Sequence, residues 1–218
     1  MIQACRQHKA HRAAAVQLTT GPKAQSMLHG EYKSMLLINQ SVPEFSPKPL
    51  TWGKCADSDC HILLFEFHAL QKGAPAIPRF TKAVAQLHMR SREAYPQHRF
   101  VFHITTFNGT LGQDNTWTDT WEEFYVRGMH RMLQLEEEAG GPCEELKHSM
   151  NRFPRQDGRR IEPVLLHGDL WTGNVATQEA TGEPLMFDSS TFWGHHECRR
   201  VIIHDTALYP EVAHFRPT

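Results

Sequence analysis

Apolar and polar positions change their period several times along the chain, and each change predicts an element. Val16 to Thr20 is a short β-favouring run that stops at the turn pair Gly21-Pro22. Ser26 then predicts a capped helix running through Glu31 to Ile38, with Met27, Leu28, Met35, Leu36 and Leu37 as its apolar positions. The stretch VPEFSPKPLTWG (42–53) reads as extended, because each proline pushes its predecessor out of the α region. Cys60 to Phe67 (CHILLFEF) has the character of a buried strand. Ile77 to Ser91 predicts a helix with Phe80, Val84, Leu87 and His88 on one side.

Phe100 to Gly112 (FVFHITTFNGTLG) reads as extended segments and turns. A helix is predicted from Trp117 through Trp121, Phe124 and Tyr125 to about Ala139, stopped by Gly140-Gly141-Pro142. Glu144 to Phe153 is a further helical piece. Pro163-Val164-Leu165-Leu166 forms a short strand, and Thr181-Gly182-Glu183-Pro184 a hairpin turn before the strand Leu185-Met186-Phe187. Strands come first and helices dominate the middle, the order of a two-lobe α+β protein.

A chain of 218 residues suits one ordinary core or two small lobes around a cleft. Its 40% hydrophobic and 22% charged residues are those of a globular protein. A formal net charge of -1 gives bulk electrostatics no hold on nucleic acid or on a membrane surface, so neither partner is expected. No apolar run approaches the ~20 residues of a membrane span. Cys5, Cys55, Cys60, Cys143 and Cys198 show no framework spacing and read as reduced thiols of a cytoplasmic protein. The basic, acid-free start MIQACRQHKAHRAAAVQL has a weak organelle-targeting look, without the serine content or apolar stripe of a leader.

The densest chemistry lies in His167-Gly168-Asp169-Leu170-Trp171-Thr172-Gly173-Asn174 followed by Asp188. In-line phosphoryl transfer needs a carboxylate near the attacking hydroxyl and oxygen ligands for the metal that bridges nucleotide phosphates. The spacing H-x-D-x-x-x-x-N meets both needs on one loop. Asp169 is expected to accept or orient the hydroxyl proton, and Asn174 and Asp188 to bind Mg²⁺, which favours oxygen donors. His167 is expected to hold the loop by bonds to backbone. The run His195-His196-Glu197-Cys198 looks like a zinc site, but adjacent residues rarely converge on one ion, so it reads as an ordinary polar segment.

Trp171 inside that loop separates it from protein kinases, and HGDLWTGN resembles the fructosamine/ketosamine kinase family, which has a protein-kinase-like fold. MLHGEYKSM (27–35) is similar to its N-lobe helix, where Glu31 matches an acid that pairs with the nucleotide-binding lysine. LLFEF (63–67) resembles the hinge, so Phe65, Glu66 and Phe67 are implied to contact adenine. FHITTFNGTLGQDNTWTDTWEEF (102–124) resembles the block that helps form the sugar-amine pocket. Gln113 and Asn115 are candidate hydroxyl partners. Trp117, Trp121 and Trp171 are candidate sugar-facing aromatics, the first two four apart on a predicted helix, where core packing is the competing reading.

The resemblance implies ATP- and Mg²⁺-dependent phosphorylation of the sugar 3-hydroxyl of a ketosamine, ribulosamine or fructosamine, on protein lysines, which amounts to deglycation. It also implies a reduced N-lobe and hinge over residues 1–70 and an incomplete helical C-lobe with the catalytic loop over 71–218. Three departures accompany it. Gln17 stands where the family has its lysine, residues 1–15 carry no recognisable phosphate-covering loop, and Glu197 passes almost directly into the tail-like Leu208 to Val212. They admit a second expectation, an inactive pseudokinase. A small-molecule kinase of aminoglycoside or choline type is a third, although it lacks Trp171 and the 113–121 block.

Overall fold

A computed structural model describes residues 2–5, 13–95, 97–142, 144 and 161–196. The expected helix over 144–153 and the tail-like run 208–212 lie outside the described residues. The first part of the chain is an antiparallel sheet under one helix. Strands β1 (Ile2–Cys5), β2 (Ala14–Thr20), β3 (Pro49–Lys54) and β4 (Cys60–Glu66) form it in the order β1-β2-β4-β3. Helix α1 (Ala24–Ser41) crosses from β2 to β3 and lies on the sheet. Its Leu28 and Met35 close a small core with Ala15, Leu63 and Phe65.

The period-2 alternation along β4 explains which face is covered. His61, Leu63 and Phe65 are buried, while the residues between them keep partial exposure. The strand is thus buried on one face only, a correction to its reading as a wholly buried run. Ser26 is also not the cap of α1. The helix begins three residues earlier at Ala24, with Lys23 at the N-cap and no side-chain cap bond. The turn at Gly21 sets that start: Gly21 has φ +101, its carbonyl accepts Ala24 N–H at 3.1 Å, and Ala24 is buried.

The second part has a larger core between α2 (Ile77–Ala94) and short sheets. Short strand β5 (Leu70–Gln71) pairs with β9 (Val175–Gln178), which pairs with β10 (Pro184–Met186). Strand β8 (Val164–Leu166) pairs with β11 (Phe192–Gly194), and β6 (Phe107–Asn108) with β7 (Leu111–Gly112). Phe80, Val84 and Leu87 of α2 meet Leu165, Met186 and Trp193, as the apolar spacing of 77–91 predicted, and Ile38 at the end of α1 joins them.

Helix α3 (Trp121–Gly140) starts four residues later than its pattern predicted. Asp114 accepts both the N–H and the hydroxyl of Thr116, at 3.1 and 2.7 Å, while Phe100 and Thr118 exchange backbone bonds. Those contacts hold 114–118 extended. Thr120 then caps the helix, its hydroxyl accepting from Glu123 N–H at 3.2 Å. Trp117 therefore lies outside the helix, and its shared helical face with Trp121 does not exist.

Candidate active site

Strand β8 delivers the chain into the site, and a set of short bonds then folds the loop that follows. The ring of His167 accepts Asp169 N–H at Nδ1 (3.3 Å), which leaves Nε2 to donate to the Phe187 carbonyl at 2.9 Å. His167 also accepts Ser190 N–H on its own carbonyl at 2.9 Å. Gly168 between them has φ +86, and a Cβ there would stand 2.0 Å from the Ser190 carbonyl oxygen. Only glycine fits, for both reasons. The structural part expected of His167 is what the geometry gives it.

A single 3₁₀ turn, Thr172–Asn174, brings Asn174 back under Asp169. Asn174 is 5% exposed, and its Nδ2 donates to the Asp169 carbonyl at 2.8 Å and to Asp169 Oδ2 at 3.1 Å. With the amide nitrogen so engaged, Oδ1 is turned away from Asp169. Phe187 N–H donates to the Asn174 carbonyl at 3.1 Å, which places Asp188 beside this pair. Asp188 has φ +54, in the left-handed region that Asp tolerates better than most residues.

The electrostatics of the cleft are acidic. Burial pushes the Glu31 carboxyl up to about 8, the negative charge of Asp188 adds to this, and a hydrogen bond from Gln17 opposes it. Asp188 is also raised, first by removal from water and then by the nearby Asp169 charge, against a lowering hydrogen bond from Glu31. Glu31 is therefore a neutral acid that donates to Asp188. Gln17 occupies the neighbouring position on β2, and among the described residues no cation acts on Glu31. Oε1 of Glu31 and Oε1 of Gln17 are both buried, with no hydrogen-bond partner among the described residues. The oxygens on offer here, the Asn174 amide oxygen and the Asp169 and Asp188 carboxylates, are hard donors of the kind Mg²⁺ takes.

Helix α1 is anchored to this loop from the other side. Ser34 Oγ accepts Thr191 N–H at 3.1 Å, and the Thr106 hydroxyl donates to the Thr191 carbonyl at 3.4 Å. Gly30, next to Glu31, packs so close to the 102–112 segment that a Cβ would lie 2.7 Å from the Thr105 carbonyl oxygen. Gln113 and Asn115 belong to this brace. Gln113 Nε2 donates to Asn108 Oδ1 at 3.2 Å and to Ser190 Oγ at 3.2 Å, and Asn115 Nδ2 donates to the Ile104 carbonyl at 2.6 Å. Their donors are thus spent inside the protein. Gly30, Ser34, Asn108 and Ser190 carried no signal in the sequence, because each is defined by a partner distant along the chain.

The aromatic candidates separate in the same way. Trp121 sits among Phe100, Phe124 and Tyr125 with centroids 5.4 to 5.8 Å apart. Trp117 packs on the larger core with the Arg99 guanidinium 5.5 Å above its ring. Trp171 alone of the three keeps a free face, 49% exposed, with its indole folded over Gly173. At the end of β4, Phe65 is buried, Glu66 N–H donates to Lys48 and Phe67 N–H to Ala13, each at 2.9 Å.

Among the described residues no helix is long and apolar enough to cross a membrane. The family model for fructosamine kinase matches residues 1–211. The chloroplastic protein-ribulosamine 3-kinase of Oryza sativa subsp. japonica is 29% identical over 188 residues, covering 82% of this chain and 52% of its own length. Ketosamine-3-kinase of Mus musculus is 29% identical over 209 residues, covering 84% of this chain and 66% of its own. The chain thus spans about half the length of the rice relative and two thirds of the mouse one. A crystal structure of a candidate fructosamine-3-kinase from Haemophilus somnus 129PT superposes with TM-score 0.68 at 17% identity, covering 91% of this chain and 68% of that one. The protein belongs to the fructosamine kinase family and has its protein-kinase-like fold.

Proposed function

We propose that the protein transfers the γ-phosphoryl group of ATP to the 3-hydroxyl of a ketosamine, a ribulosamine or fructosamine, free or on a protein lysine. The observation that carries this reading is the convergence of Asp169, Asn174 and Asp188, tied by the Asn174–Asp169 and Phe187–Asn174 bonds. Asp169 orients the sugar hydroxyl and takes its proton as the oxygen attacks. An ordinary carboxylate is a weak base, so positioning is the larger part of that role. The Asn174 amide oxygen and Asp188 hold Mg²⁺, which supplies charge neutralisation at the transferring phosphoryl group. The half-exposed indole of Trp171 offers a flat apolar face beside Asp169, suited to the C–H face of a sugar. The chain segment around Phe65, Glu66 and Phe67 borders the adenine position. Cytoplasmic glycated protein is the partner this reading implies.

The test is ketosamine-dependent ADP release by the purified protein with ATP and Mg²⁺, with the phosphorylated product identified by mass spectrometry. Asp169→Asn should lower kcat by about 10²- to 10⁴-fold, the usual reach of a positioned acid–base group. Asp188→Ala should abolish Mg²⁺-dependent turnover. Turnover that survives Asp188→Ala, or that follows an aminoglycoside or choline in place of a ketosamine, would overturn the reading. Gln17 favours a second one, nucleotide binding without transfer, because among the described residues no cation acts on Glu31. Thermal stabilisation by ATP and Mg²⁺ in a protein that transfers no phosphate would establish it.

A further inference from the structure

The β3–β4 hairpin ends in two cysteines that the active-site chemistry does not use. Lys54 pairs with His61, so Cys55 and Cys60 form the next cross-strand pair, and Cys55 N–H donates to the Cys60 carbonyl at 2.8 Å. Directly opposed residues of an antiparallel ladder hold their Cα atoms about 4.5–5.5 Å apart and point their side chains to one face. That separation lies inside the span of about 4.4–6.8 Å that a disulfide bridges. The sulfurs are not bonded, and both residues are partly exposed at the hairpin end. Burial by its surroundings raises the Cys60 thiol, and its side chain hydrogen-bonds with that of Cys55, so the two sulfurs are in mutual reach. Only Ala56, Asp57, Ser58 and Asp59 connect them.

We propose that Cys55 and Cys60 form a thiol–disulfide site, closed by exchange with a low-molecular-weight disulfide of the glutathione type. Cys60 holds its proton more tightly than an ordinary thiol, so exchange starts at Cys55. The Cys55 thiolate attacks one sulfur of the small disulfide, breaks its S–S bond and expels one thiolate. Cys60 then attacks the Cys55 sulfur of the mixed disulfide and expels the second thiolate. The two cysteine protons end on the two released thiols, the protein is oxidised by two electrons and the small disulfide is reduced by the same two. Closure staples the hairpin that carries Trp52, whose ring stacks on His29 of α1 at 4.5 Å.

Trypsin cuts after Lys54 and Lys72 with no lysine or arginine between them, so both cysteines fall on the one peptide Cys55–Lys72. Native protein is incubated with oxidised glutathione, quenched in acid, alkylated and digested. The expected result is this peptide lighter by two hydrogens and without alkyl groups, with both sites alkylated again after dithiothreitol. The Cys60→Ser variant should trap glutathione on Cys55 as a lasting mixed disulfide. A peptide that stays doubly alkylated in folded protein, or that carries glutathione on one cysteine beside an alkylated other, would overturn the proposal. So would a Cys60→Ser variant that takes up no glutathione while the unfolded chain does.

Discussion

Helices α1 and α3 are nearly equal in length, 18 and 20 residues, yet the structure holds them in opposite ways. Helix α1 buries Ala24, Leu28, Gly30, Ser34, Met35 and Ile38, and it touches the sheet, the larger core and the loop after Asp188. No residue of α3 is buried among the described ones. Its anchorage lies in its first two turns, where Trp121 and Phe124 meet the core and Arg127 pairs with Asp114 at 2.8 Å, and Met132 further along is 55% exposed. The difference tracks the chemistry. The helix that sets a carboxyl against Asp188 is fixed by contacts on several sides, which over-determine its position. Helix α3, which carries no group of the site, is held near its start and has fewer such contacts among the described residues along the rest of its length.

Titration should expose that contrast most strongly. Glu31 binds its proton up to about 8 in the folded protein, against an ordinary 4.5 in the unfolded chain. Between those values unfolding releases a proton, so stability falls as pH rises, by up to about 1.4 kcal/mol per pH unit. Urea unfolding in metal-free buffer from pH 5 to 8 should show this slope. Glu31→Gln should flatten it, and Gln17→Lys should shrink it by giving the carboxylate a cation. A slope unchanged in Glu31→Gln would show that α1 is not strained by its own acid.

Gly30→Ala is next in size. In a solvent-facing helix this change usually stabilises by about 0.5–1 kcal/mol. Here the new Cβ meets a backbone carbonyl at 2.7 Å, so the sign should reverse to a loss of about 1–3 kcal/mol. Denaturant midpoints of the two proteins read it directly. Thr120→Ala removes the cap of α3 and should cost about 1 kcal/mol. Met132→Gln, on the bare part of α3, should stay within about 0.5 kcal/mol. A large effect there would mean that α3 is covered after all, and the comparison of the two helices would fail.

How legible this was in the sequence depends on the range over which each feature is decided. The run Pro163 to Asn174 and the hairpin before Asp188 were readable because local order fixes them, apolar strand, glycine turn, then oxygen donors at set spacing. Helix starts were less so. Ser26 has the right chemistry for a cap, but the Gly21 turn and the burial of Ala24 decided the boundary. Trp117 has helical spacing to Trp121, but the pairing of Thr118 with Phe100 holds it extended. Gln113 and Asn115 looked like sugar ligands because nothing in the linear order reveals Ser190 or Ile104 as their partners. Gly30 is the extreme instance, a residue that reads as a weakness in a helix until Thr105 is seen against it.

The posture of Trp171 gives the protein an optical reporter. Of its five tryptophans, Trp52, Trp117, Trp121 and Trp193 are partly or fully enclosed, while the Trp171 indole lies open across Gly173, three residues from Asn174 in the chain at most. Collisional quenchers such as iodide or acrylamide will reach that ring before the other four. Fluorescence quenching can therefore follow whatever settles over the catalytic loop, in unlabelled protein and without altering a single residue.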